Sequence, residues 1–143
     1  MTLLCSGCAF AESDNLIPDY NYTQLFVEKR LSSHIGDVEY KKVWDKDEIK
    51  EIKDLLNSVP VESPGDQQKE KIKSQLNEKG TYIFSFYTQK DLDNRTTESV
   101  FYLALLQSGQ IVYSDPKDHE MSIRLVSAEN KPELVKKIIE KIY

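Results

Sequence analysis

The chain has 143 residues, 39% of them hydrophobic and 30% charged, with a net charge of −5. That is the balance of one globular domain with a very polar surface, and it excludes the basic footprint of a nucleic-acid binder. No run approaches the roughly 20 apolar residues that span a bilayer, so no transmembrane helix is expected.

Residues 1–11 read MTLLCSGCAFA, and the composition then turns polar at Glu12, Ser13, Asp14 and Asn15. Ser6-Gly7-Cys8 matches the small-small-Cys end of a bacterial lipobox, with Cys5 where Leu is preferred. As a lipobox, the motif makes Cys8 the lipidated first residue of the mature protein. Ala9-Phe10-Ala11 is alternatively an A-x-A signal-peptidase site. A signal also needs a basic region and about 7–15 apolar residues, yet only four residues precede Cys5 and none is basic. Such a stretch is therefore expected upstream; without it the chain stays cytoplasmic. Cys5-Ser6-Gly7-Cys8 is also a C-x-x-C, but no strand can precede it as redox motifs require, and no second ligand pair suits zinc.

Residues 12–36 are expected to be a polar tether or docked arm, flexible over 9–22. Within them Leu25, Val27 and Leu31 leave a short strand possible. The folded domain is expected over 37–143. Val38 to Trp44 is β-branched and aromatic, and reads as a strand. Asp45 with Glu48 caps a helix whose apolar face is Ile49, Ile52, Leu56 and Val59, stopped by Pro60. Residues 60–66 read as a loop. Residues 67–79 read as a charged helix with a thin Ile72/Leu76 face and Gly80 at its end.

Tyr82 to Tyr87 is a predicted strand and Gln89 to Thr97 a polar loop. Val100 to Leu106, apolar on both faces, reads as a central strand. Ser108-Gly109 turns into a strand from Ile111 to Tyr113. Asp115-Pro116-Lys117-Asp118 is another turn, before Met121, Ile123 and Leu125 alternate as a half-exposed strand. Asn130 and Glu133 are candidate caps for a last helix with the stripe Leu134, Val135, Ile138, Ile139 and Ile142. The expected fold is α+β: an antiparallel sheet of four to five strands, ordered β-α-(α)-β-β-β-β-α, with helices packed on one face.

Asp45-Lys46-Asp47-Glu48-Ile49 after a strand, Gly80-Thr81-Tyr82-Ile83-Phe84, Gly109-Gln110-Ile111-Val112-Tyr113 and the Leu134 to Ile142 helix together resemble the uncharacterised small lipoproteins of Gram-positive, Bacillus-like bacteria. The resemblance covers about residues 38–143. It implies an exported α+β protein on the outer face of the cell membrane, and it implies no catalytic residue.

The chain shows no phosphate loop, nucleophile elbow or metal pair, so no cofactor and no catalytic residue is expected. Asp118 beside His119, with Asp115 nearby, is the one arrangement that suits general-base hydrolysis, although D-P-K-D is also turn grammar. Asp91, Asp93 and Asn94 suit a hard cation only weakly, lacking the regular oxygen spacing of a calcium loop. Aromatics concentrate on the predicted sheet, where most build core. If helices cover one face only, Tyr82, Phe84, Tyr87, Tyr102 and Tyr113 are candidates for an interaction surface on the other. The leading expectation is an envelope-tethered, non-enzymatic domain binding a protein or cell-wall component, touching membrane only through a lipid on Cys8. The alternatives are a cytoplasmic immunity protein neutralising a basic toxin by charge complementarity, and the Asp118/His119 hydrolase.

Overall fold

A computed structural model describes residues 16–34, 36–116 and 122–143. Among them seven strands form one sheet: β1 (Tyr22–Arg30), β2 (Val38–Val43), β3 (Val61–Glu62), β4 (Tyr82–Thr88), β5 (Phe101–Leu105), β6 (Ile111–Tyr113) and β7 (Leu125–Ser127). Four helices accompany them: α1 (Lys46–Asn57), α2 (Asp66–Gln75), α3 (Gln89–Asn94) and α4 (Pro132–Ile142). The spatial order is β2-β1-β4-β5-β6-β7-β3, and every pairing is antiparallel.

The α+β class and the antiparallel meander agree with the sequence, but seven strands replace the expected four to five. Two of the additional strands lie in segments read as irregular. Val61–Glu62 pairs with β7 inside the loop predicted over 60–66. Tyr22–Arg30, where strand and docked arm were both open, is a nine-residue strand lying between β2 and β4. Its Leu25 and Val27 are fully buried, as is Ile17 ahead of it, whose N–H donates to Asn57 Oδ1 at 2.8 Å. Residues 16–30 therefore belong to the folded unit.

Helices lie on both faces, not one, and the chain path explains it. β2 and β3 occupy opposite edges, so the chain must cross the sheet between them and then return to place β4 beside β1. α1 makes the outward crossing. Asp45 caps it by accepting from the N–H groups of Asp47 (2.9 Å) and Glu48 (3.2 Å). Ile49, Ile52 and Leu56, spaced by helical turns, pack with Leu25, Val27, Phe84, Phe86, Leu103 and Tyr113 on what we call the first face. α4 joins them there through Ile138 and Ile142. α2 makes the return over the second face, where Ile72 and Leu76 meet Ala104, Leu106, Val112 and Val126. Strand alternation separates the clusters: Leu103, Tyr113 and Leu125 pair across one face, Ala104, Val112 and Val126 across the other.

Local expectations also shift. Gln89 to Asn94, read as loop, is a short helix because Thr88 caps it and Arg95 closes it in the left-handed region (φ 56°). α2 ends at Gln75, not beside Gly80. Gly80 (φ +89°) instead donates its N–H to Arg30 O at 3.0 Å and starts the β4 ladder. The strand predicted around Met121 to Leu125 forms at Leu125–Ser127. α4 uses no Asn130 side-chain cap; the Lys131 N–H donates to Gly109 O at 2.7 Å. Gly109 (φ +93°) is required there, since a Cβ would lie 2.8 Å from Pro132 N.

Candidate functional site

The register divides the five candidate surface aromatics. Phe84 and Tyr113 are 0% exposed in the first-face core, so they are not surface residues. The sheet alternation that places Leu103 beneath α1 places them there as well. Tyr113 also braces the fold, because its hydroxyl donates to Leu56 O at 2.7 Å and satisfies a carbonyl at the end of α1. Tyr82 sits half-buried at the rim of the same face, 6.4 Å from the Tyr143 ring, with Lys29 Nζ 5.9 Å from its centroid. Only Tyr87 and Tyr102 lie on the second face, half-buried and outside the cluster that α2 builds.

Two aromatics that the sequence did not single out extend that surface. Phe26 on β1 pairs with Ser85, which pairs with Tyr102, so all three share the second face. Tyr40 on β2, 58% exposed, stacks on Phe26 with centroids 5.1 Å apart and planes at 31°. A strip Tyr40–Phe26–Tyr87–Tyr102 thus crosses four adjacent strands, interleaved with Gln24 and Ser85 and edged by the Glu28–Arg30 ion pair at 3.3 Å. The phenols of Tyr87 and Tyr102 are raised from their ordinary pKa, chiefly by burial and then by nearby negative groups including Asp91. They are neutral hydrogen-bonding groups at physiological pH. The signal for Phe26 was present in the alternation of β1, but the polar residues before it masked the strand.

Asp91, weighed as a cation ligand, turns inward and is 1% exposed. Its carboxylate accepts from Thr96 Oγ1 (2.6 Å), Ser99 N–H (2.9 Å) and Thr88 Oγ1 (3.3 Å), so its oxygens are committed to closing the 88–99 segment. Asp93 is exposed and takes a hydrogen bond from Gln89 Nε2 at 2.8 Å. Among the described residues no group of three or more His, Cys, Asp or Glu is placed to hold a metal.

A cleft of about 380 Å³ opens between residues 19–22 and the first turns of α1. Tyr20, Tyr22, Asp19 and Lys46, Lys50 and Lys53 line it. Lys53 Nζ lies 3.3 Å from Asp19 Oδ1 and 5.8 Å from the Tyr22 ring centroid. The Tyr22 hydroxyl is buried with no hydrogen-bond partner, and its pKa is raised, first by burial and then by Tyr20, Asp91 and Asp19. Hydrogen bonding to Asp54 holds Lys50 protonated. The cleft therefore brings lysine amines, the Asp19 and Asp47 carboxylates and the Tyr20 and Tyr22 rings together, groups that suit a polar ligand. Its mixed charge is not the acidic concavity that binding a basic toxin calls for.

Cys8 lies outside the described residues, as do Asp118 and His119. Among the described residues no helix is long and apolar enough to cross a membrane. No family model, no curated protein and no solved structure matches this chain.

Proposed function

We propose that the protein is a non-enzymatic binding domain, tethered at the outer face of the cell membrane through a lipid on Cys8, that holds a glycan strand of the cell wall. The observation that carries this reading is the second-face strip of Phe26, Tyr40, Tyr87 and Tyr102, flat because it lies on a sheet and wet enough to be reached. The apolar C–H face of a pyranose ring stacks on such rings, while the neutral phenols meet its hydroxyls. The resemblance to small Gram-positive lipoproteins supports the location.

The binding test is co-sedimentation of the full chain, carrying Cys8→Ser to keep it free of lipid, with purified cell-wall sacculi. Pelleting that drops at least tenfold in Tyr87→Ala/Tyr102→Ala is expected; a chain that stays in the supernatant rejects glycan binding. The tethering test is fractionation of the natural gene product against Cys8→Ala. Wild-type protein found in the cytosol rejects the anchor.

A further inference from the structure

We propose that β2 is the seam of a homodimer, in which two copies pair their free edges antiparallel about a two-fold axis at Tyr40. The sheet has two edges, and they differ. β3 is two residues long, lies between Pro60 and Pro64, and is a poor template for pairing. β2 is six residues long, pairs among the described residues only with β1, and carries no proline.

The direction of its free hydrogen-bonding groups follows from the β1–β2 ladder. Leu31 N–H donates to Asp37 O at 3.0 Å, while Arg30 exchanges hydrogen bonds with Gly80 and Thr81 on its other side. Hydrogen-bonded and non-hydrogen-bonded pairs alternate in an antiparallel ladder. With Arg30 opposite Val38, the residues of β2 that bond to β1 are Glu39, Lys41 and Val43. The N–H and C=O groups of Val38, Tyr40 and Lys42 therefore point away from the sheet.

A dyad at Tyr40 matches this set with itself. Tyr40 faces Tyr40 of the second copy, and each Val38 faces a Lys42, so three pairs with two bonds each satisfy all the outward groups. The intervening pairs are Glu39 opposite Lys41 of the second copy, and the reverse. These are opposite charges at the closest cross-strand position, on the first face. Within the chain Glu39 already faces Lys29, so the row across the seam reads Lys29, Glu39, Lys41 with alternating sign. Moving the dyad to either neighbouring residue sets Glu39 against Glu39 or Lys41 against Lys41, so the charges select one register.

Exposed apolar side chains concentrate at the same edge. Of the five large hydrophobics that remain exposed among the described residues, Tyr40 (58%) is on β2 and Trp44 (56%) follows it directly. Leu31 borders the β1–β2 connection, and Tyr143 lies 5.9 Å from Lys41 Nζ. A lysine-bearing edge is also a common device against pairing, and the two roles make opposite predictions.

The test is sedimentation velocity on the full chain under reducing conditions, from micromolar to millimolar protein, with emission of the single tryptophan, Trp44, followed in parallel. A concentration-dependent dimer with blue-shifted emission is expected. Glu39→Lys and Lys41→Glu each weaken association about tenfold or more, and the E39K/K41E double variant returns it to within about threefold of the original. Both positions are exposed, so neither change threatens the fold. A monomer throughout the range overturns the seam, as does a dimer indifferent to either reversal. Loss in the single variants without recovery in the double variant overturns the register. Tyr40 belongs to both surfaces, but Glu39 and Lys41 lie on the first face and Tyr87 and Tyr102 on the second, so the charge reversals read dimerisation and Tyr87→Ala/Tyr102→Ala reads sacculus binding.

Discussion

The two faces of the sheet differ in what covers them. The first face is packed beneath α1 and α4 over its central strands, and its Phe84, Phe86, Phe101, Leu103 and Tyr113 have essentially no exposure. Among the described residues, α2 packs on the second face over Ala104, Leu106, Val112 and Val126. Across β2, β1 and β4 that face retains half-buried aromatics beside buried polar Gln24 and Ser85. Similar residue types thus do different work: a first-face aromatic holds the fold together, and a second-face aromatic keeps part of its surface in solvent.

The sharpest way to break this comparison is truncation on each face. Phe84→Ala is expected to cost about 3–5 kcal/mol in urea unfolding through cavity formation, whereas Tyr87→Ala costs under about 1 kcal/mol. Equal losses would mean that the second face is core throughout. Next comes Ile72→Ala, expected at about 2–4 kcal/mol, because the α2 side of the second face is a packed cluster centred on that residue. A loss below about 1 kcal/mol would extend the open surface beneath α2.

Gly109→Ala probes how α4 is seated on the first face. The positive φ and the approach to Pro132 predict a loss of about 2 kcal/mol with the start of α4 displaced, read by melting and by amide exchange over residues 131–135. Tyr113→Phe is expected to cost about 1–2 kcal/mol at neutral pH, because the Leu56 carbonyl loses its donor. This variant also changes the pH dependence. Burial raises the Tyr113 and Tyr22 phenols, so the folded state keeps protons that the unfolded chain releases from about pH 10 upward. Their contribution is intact below about pH 10 and declines as pH rises toward the folded-state values, by about 1.4 kcal/mol per pH unit for each phenol. Tyr113→Phe should flatten that alkaline slope by one phenol's share in denaturant titrations between about pH 9 and 11; an unchanged slope would deny its burial.

Elements with a strong local pattern were legible in the sequence. α1 shows its cap at Asp45 and its Ile49, Ile52 and Leu56 face, and α4 its isoleucine stripe, because helical periodicity and capping are local chemistry. β5 showed its central place through apolar residues on both faces. β1 was less legible: Tyr22, Thr23 and Gln24 are polar or amphipathic, and their burial depends on α1 and on residues far away in sequence. α3 was hidden because its stability comes from Asp91 collecting Thr88, Thr96 and Ser99, a network that single-residue propensities do not reveal.

Of the aromatic surface, the sequence offered five residues, and only the register separated them. A one-residue step along a strand exchanges core for surface, so Phe84 and Tyr113 went inward while Tyr87 and Tyr102 took the other face. Composition, charge and periodicity by themselves determined an acidic α+β domain with an antiparallel meander and amphipathic covering helices. Tertiary structure alone decided the seven-strand order, the passage of α2 over the second face and the line between packed and open sheet. Which face a strand residue occupies, and whether anything covers it, is set by partners tens of residues away.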